Sequence, residues 1–316
     1  MCELTRILVT GGTGFVGSHV VDRLLNAGCE VRVIDNLSTG KYANIHDCMK
    51  SGKVSFVKGD IRESEVVRKC VHDVDAVVHL AAVTSVPFSI KHPSLTYETN
   101  VTGTLNLLNS SLKGKVKKFI FVSSSAVYGE PKYFPVDENH TTCPISPYAA
   151  SKLAAERYCT LFQKEHGLRT VILRLFNVYG PRQGFSDYDG VTAQFIERAR
   201  HKLPLVIYGD GFQTRDFVHV WDVADATMRT LKNGNADGEV FNIAFGKPTS
   251  INELAKTVIE VAETDLDIIY GEPRLGDLKH SFADISKARK SLGYKPKVPL
   301  ENGLQTLFRI NRGCDR

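Results

Sequence analysis

Thr10-Gly11-Gly12-Thr13-Gly14-Phe15-Val16-Gly17 lies between an apolar run at 6–10 and an amphipathic stretch at 15–27, and no other feature limits the fold as strongly. Its glycines recur at 11, 14 and 17. Between a strand and a helix, the missing Cβ atoms permit a tight turn and let backbone N–H groups reach a pyrophosphate. The phosphate charge then meets the positive end of the helix dipole. A second β-rich run ends at Asp35, 24 positions after Gly11. A carboxylate placed there accepts both hydroxyls of an adenosine ribose and repels a 2′-phosphate, which points to NAD rather than NADP.

Further apolar runs at 30–34, 54–57, 76–79, 119–122 and 170–175 alternate with helical patterns at 63–70, 94–111 and about 147–166. Several of these runs are continuously apolar, as strands covered by helices on both faces must be. The alternation predicts an α/β fold with a Rossmann-type, doubly wound parallel sheet. After Gly180 the chain turns to loops rich in proline, glycine and aromatics, and runs at 217–220 and 240–243 are expected to rejoin the sheet. The predicted layout is a dinucleotide-binding domain over 1–180, to which 215–246 returns. A smaller C-terminal substrate-binding lobe is expected from 181–214 and 247–316.

With 42% hydrophobic and 24% charged residues, the chain reads as globular, neither disordered nor fibrous. Its longest apolar stretches, 76–83 and 171–176, fall far short of the roughly 18–20 residues that cross a bilayer. The first strand follows Met1-Cys2-Glu3-Leu4-Thr5 directly, so no secretory signal is expected. Seven cysteines, scattered and without a C-x-x-C pair, predict reduced thiols in a cytoplasmic protein. A net charge of +5 spread along the chain does not mark a nucleic-acid partner. Ten histidines form no H-E-x-x-H and no local Cys/His cluster, so no metal site is expected. His79 and His219, within strand runs, read as hydrogen-bonded core residues.

Tyr148 and Lys152 are four apart at the start of a helical pattern and project from one face. A phenol with a reference pKa of about 10 is a poor base near neutrality. An adjacent ammonium and a cationic nicotinamide favour its phenolate. Lys152 is also placed to bond the nicotinamide ribose. Ser124, in Val122-Ser123-Ser124-Ser125-Ala126-Val127-Tyr128-Gly129, follows a strand where open α/β sheets place their chemistry. Its hydroxyl is expected to bridge the phenol and the reacting oxygen. Two other strand ends complete the dinucleotide site. Gly59-Asp60-Ile61 offers a side chain to the adenine edge, and the small residues of Leu80-Ala81-Ala82 let the backbone approach the cofactor.

These motifs, with NVTGTLNLL, SPYAASK, RLFNVYGPRQ, TRDFVHV and RLGDLKHSFADISKA, run in order from Thr10 to Ile285. The chain resembles the extended short-chain dehydrogenase/reductase family, nearest to the UDP-hexose 4-epimerases. The resemblance implies an isomerase in which Tyr148 takes the proton of the sugar 4-hydroxyl while hydride passes from C4 to tightly held NAD. A 4-keto sugar then turns about its diphosphate link and regains hydride on the opposite face. It adds Phe15, Val16, Asn36, Ser38 and Gly40 to the cofactor set, and Asn100 as an asparagine orienting the catalytic strand end. It assigns Asn177, Arg215, Arg274 and Asp277 to the diphosphate and uridine ribose, and Val206 and Tyr208 to the segment flanking uracil.

Competing readings are a dehydratase, a decarboxylase or a uronate epimerase of the same family, and a non-catalytic NAD-binding sensor. Related dehydratases place Asp-Glu just after the catalytic hydroxyl residue. Ser125 and Ala126 stand there in this chain and cannot exchange protons near neutrality. Ser281 matches a position beside the sugar, where a small residue leaves room for an N-acetyl group. A homodimer is expected through helices 94–111 and 148–166. Leu95, Tyr97, Val101, Leu105, Leu107 and Leu108 on the first, with Ala150, Ala154, Tyr158, Leu161 and Phe162 on the second, exceed one apolar stripe.

Overall fold

The computed structural model describes residues 4–184, 190–273 and 278–311. Among them, the strands in chain order are β1 (Arg6–Thr10), β2 (Glu30–Asp35), β3 (Val54–Lys58), β4 (Ala76–His79), β5 (Lys118–Ser124), β6 (Thr170–Leu175), β7 (Asn177–Tyr179), β8 (Leu205–Tyr208), β9 (Thr214–His219), β10 (Val240–Ile243), β11 (Pro248–Ser250), β12 (Ile268–Gly271) and β13 (His280–Ser281). Seven form one parallel sheet in the order β10-β6-β5-β4-β1-β2-β3.

The continuously apolar strands divide their side chains between two cores. Ile7 and Val9 of β1, Val78 of β4 and Ile120 of β5 join the core on one face. Leu8, Val77, Phe119 and Phe121 join that on the other. A period of two thus fills both faces, and the middle of such a strand reads as a continuous apolar run. The strand order reverses between β1 and β4, which opens a crevice at their C-terminal ends. Thr10, His79 and Ser124 all end their strands at that rim.

The two later runs separate. Val240–Ile243 takes the edge position beside β6 as expected, with the helix Val220–Lys232 packed against the helix Phe15–Asn26. The run at 217–220 does not rejoin this sheet. Its first three residues end β9, which pairs with β7, β11 and β13 in a small separate sheet, and Val220 opens the following helix. The place beside β6 is already taken by β10, so β9 extends β7, which has peeled away after Phe176. The chain also returns a second time. Ile285, Ala288, Leu292 and Tyr294 lie in the main core rather than in the smaller lobe. That lobe has its own core around Phe195, Ile207, Phe217 and Leu254.

Asp216 of β9 clasps these passages together. Its fully buried carboxylate accepts from the backbone N–H of Phe245 (2.8 Å) and Gly246 (3.0 Å), beyond β10, and of Ala283 (3.2 Å), beyond β13. Burial raises this carboxyl to about 6, opposed by those same hydrogen bonds. Asp216→Ala leaves the N–H groups of Phe245, Gly246 and Ala283 without this acceptor. We expect an unfolding free energy lower by about 3 kcal/mol, measured by urea denaturation; a value within about 0.5 kcal/mol of the parent would remove this clasp from the account.

Candidate active site

The glycine loop builds a cradle from backbone. Gly11 has φ +69°, and a Cβ there would lie 2.8 Å from the Ala81 nitrogen. A Cβ on Gly17 would run into the Gly11 carbonyl. The helix Phe15–Asn26 starts at Gly14 with no side-chain cap and no acidic residue in its first turn, so its first N–H groups are left for an anion. Thr13 Oγ1, buried in the loop, has no hydrogen-bond partner among the described residues. A loop too crowded for Cβ atoms, an uncapped helix start and an orphaned hydroxyl fit a dinucleotide diphosphate.

Asp35 ends β2 beside this loop. Its carboxylate accepts from the N–H of Thr13 (3.1 Å) and of Leu37 (2.9 Å), fixing it at the mouth of the cradle. Asn36 accepts from the Ser38 N–H and donates to Asp60, so the 36–40 turn is tied to the end of β3. Asp60 is committed to Arg62 through two side-chain bonds, which hold it down at about 2. Ile61 packs its side chain into the core, leaving only its backbone at this rim.

A proton-ordered chain links the rim strands. Thr10 Oγ1 accepts from the N–H of Leu80 and of Ala81, so its own proton goes to His79 Nδ1 at 2.7 Å. His79 Nε2 then donates to Thr104 Oγ1 at 2.9 Å, and Thr104 donates to the Asn100 carbonyl at 2.6 Å. Every proton is assigned only if His79 is neutral, and burial lowers its pKa well below the usual value. Asn100 occupies a π-helical turn, Glu98–Thr102. Its side chain exchanges two bonds with the Val83 backbone and donates to Ser151 Oγ at 2.9 Å. It therefore pins the β4 loop to the helix Pro147–His166; the strand end at β5 is not its partner. His219 is a buried, hydrogen-bonded residue as expected: Nδ1 accepts from the Trp221 N–H, while Nε2 has no partner among the described residues.

The helix Pro147–His166 carries Tyr148 and Lys152. Ser146 caps it by accepting from the Ala149 N–H, with Pro147 in the first turn. The Tyr148 side chain is hydrogen-bonded with Ser124; burial raises the phenol and the serine contact lowers it. Lys152 is buried, donates to the Val122 carbonyl at 2.6 Å and lies 4.3 Å from the centre of the Phe121 ring. Burial lowers it to about 8, opposed by the negative field of Glu156. Ser124 accepts from the Ala126 N–H at 3.2 Å. The structure therefore brings Ser124, Tyr148 and Lys152 to one point on the rim, one strand away from Ala81.

Arg215 of β9 lies in register with Ser281 of β13, and Ser281 is buried. Asn177 of β7 pairs with Phe217 on the other side of β9. Val206 and the exposed Tyr208 lie on β8, which pairs only with β12 in a two-stranded sheet. Arg274 and Asp277 lie outside the described residues. Among the described residues there is no cluster of ligands for a metal and no helix long and apolar enough to cross a membrane. Sequence reasoning missed Asp216 and the buried trio of Ser123, Glu156 and Arg174. Only the spacing of Lys152 and Glu156, four apart, hinted at the latter.

Comparison with known proteins agrees with this geometry. The model of the NAD-dependent epimerase/dehydratase family matches residues 7–244. A putative UDP-glucose 4-epimerase of Methanocaldococcus jannaschii is 42% identical over 98% of the chain and 99% of its own length. The crystal structure of a UDP-glucose 4-epimerase from Thermotoga maritima, with UDP-glucose, has a TM-score of 0.93 at 41% identity and covers 99% of this chain and 100% of that one. A UDP-N-acetylglucosamine 4-epimerase from Methanobrevibacter ruminantium, in complex with UDP-N-acetylmuramic acid, gives 0.93 at 39% identity with the same coverage.

The cradle makes its own prediction. Gly17→Ala should purify folded but with at least about tenfold less bound dinucleotide, measured by heat release and chromatography. Full retention would show that the close approach of Gly17 to Gly11 does not shape the site.

Proposed function

The chain belongs to the NAD-dependent epimerase/dehydratase family, and on that premise we propose that it inverts C4 of UDP-hexoses, interconverting UDP-glucose with UDP-galactose and UDP-GlcNAc with UDP-GalNAc. One observation carries this reading: Ser124, Tyr148 and Lys152 meet at the rim, while the next two positions, Ser125 and Ala126, offer no second acid or base. Inversion through a ketone needs one base that later returns its proton, whereas water loss needs another.

The residues divide the work. Tyr148, as phenolate, takes the proton of the sugar 4-hydroxyl. Lys152 stabilises that phenolate with its positive charge, and Ser124 hydrogen-bonds the reacting oxygen. The bound dinucleotide supplies hydride acceptance and return at C4. Turning of the 4-keto sugar exposes its other face, after which Tyr148 gives the proton back. Arg215 and Asn177 grip the diphosphate, a guanidinium being able to hold phosphate oxygens in a fork. The uracil lies by Val206 and Tyr208.

Acceptance of the acetylated pair is supported by the small Ser281, in register with Arg215, and by the activity named for the Methanobrevibacter relative. Pairing of two copies is part of the same proposal. Val101, Leu107, Leu108 and Phe162 are used up in the chain's own core, but Tyr97 (55% exposed) and Leu161 (49%) remain outward on the two expected helices. Five free cysteines among the described residues suit a reducing, cytoplasmic setting.

Coupled assays on each UDP-sugar test the reading. Tyr148→Phe should retain dinucleotide yet lose about 10²–10⁴-fold in kcat. Wild-type turnover should decline as pH rises through about 8, where Lys152 gives up its proton. A phenylalanine variant as active as the parent would refute the assignment of the base. Ser281→Tyr should suppress turnover of the acetylated pair by about 10-fold or more while sparing UDP-glucose; an equal loss on both pairs, or none, would refute the role of Ser281.

A further inference from the structure

The helix Pro147–His166 presents a third polar residue on the face that carries Tyr148 and Lys152. Glu156 follows Lys152 by four positions and is almost fully buried. Its Oε1 accepts from Ser123 Oγ at 2.5 Å and from Arg174 Nε at 3.0 Å, and its Oε2 accepts from Arg174 Nη2 at 2.7 Å. Ser123 and Arg174 are register partners on β5 and β6. One carboxylate therefore fastens the helix to two adjacent strands at their rim ends. Arg174 stacks its guanidinium 4.7 Å over the Tyr128 ring, whose hydroxyl donates to Asn242 of β10. Ser123 is the residue between Val122, whose carbonyl receives the Lys152 ammonium, and Ser124.

We infer that Glu156 is a positioning residue for the reaction: held by Arg174 and Ser123, it sets where Lys152 and Ser124 stand and keeps a negative charge one turn behind the ammonium. This inference rests on the roles given above to Tyr148 and Lys152. A cation is costly to bury without a compensating anion. Around Lys152, the helix itself contributes Tyr148, Glu156 and the neutral thiol of Cys159. β4 contributes neutral His79, β5 only the uncharged Val122 carbonyl and serines, and β6 contributes Arg174 behind Glu156. Glu156 is the one carboxylate in that set. Burial takes Lys152 down to about 8, and the field of Glu156 is the largest influence raising it.

Two variants separate position and charge from mere packing. Glu156→Gln keeps the shape but removes the charge. Glu156→Leu with Arg174→Met replaces the buried pair by apolar side chains, an exchange that many folds accept. Each holoprotein is read in two ways. The first is the pH titration of the Lys152 ¹³Cε resonance, assigned by its loss in Lys152→Met, which needs no turnover. The second is kcat and KM across pH, with melting temperature and bound dinucleotide as controls for folding.

In Glu156→Gln we expect the Lys152 midpoint to fall by about one pH unit or more and the alkaline limb of kcat to move with it. Turnover at neutral pH should drop by about 10–100-fold, with KM within about threefold of the parent. The double variant should melt near the parent yet show a lowered Lys152 midpoint and reduced kcat. An unchanged Lys152 midpoint in either folded variant overturns the inference. So does a double variant with parental kcat, or a loss confined to KM. Should the wild type itself fail to interconvert UDP-sugars, the proposed function falls, while the resonance titration still decides the role of Glu156.

Discussion

An ammonium taken out of water costs several kcal/mol unless the protein supplies compensation. Lys152 is such a group, and much of this structure arranges its surroundings. The Val122 carbonyl and the Phe121 ring give it direct partners, and Glu156 gives it a field. His79, which burial and then the charge of Lys152 hold below its usual pKa, stays neutral and adds no repulsion. Its hydrogen bonds to Thr10 and Thr104 admit only one tautomer and no extra proton. The same bonds hold the β4 loop, so the ends of β1 and β4 belong to one network.

Two devices join the glycine loop to the helix that carries Tyr148 and Lys152. The glycine loop lets the backbone of β1 meet that of the β4 loop, since Gly11 leaves no Cβ before Ala81. Asn100 then ties the β4 loop to Ser151, on the same helix as Tyr148 and Lys152. Between cradle and base the path is a short series of hydrogen bonds on buried groups, which tolerates little slack. Such rigidity suits the hydride and proton exchange proposed above, because misplacement by an ångström costs rate steeply.

The smaller lobe is held in a different way. The chain leaves the large sheet after β6, returns as β10, leaves again, and comes back once more at Ile285 to Tyr294. Asp216 joins these passages with a carboxylate that has only backbone N–H groups for partners. Arg215, its neighbour, thereby stands on a strand fixed from both sides. A side chain on a two-sided clasp is positioned relative to the main sheet rather than free to follow its own lobe.

Much of this was written locally. The glycine spacing, the end of β2 at Asp35, the apolar runs of β1 and β4–β6, and the pair Tyr148 and Lys152 are each settled by residues within a few positions of one another. Strand period and helix period need no distant partner to be read. By contrast, β9 looked like another strand of the large sheet, and nothing in its own residues says that β10 already holds the place beside β6. Glu156 and Asp216 read as ordinary acidic residues on a helix and a strand. Their importance comes from Ser123, Arg174, Phe245, Gly246 and Ala283, which reach them across 18 to 67 positions of chain. Burial makes a carboxylate significant, and burial is decided by what packs over it; the sequence determined the layers and the pairing of Tyr148 with Lys152 on one helix face, while only the tertiary structure decided which charges are enclosed together.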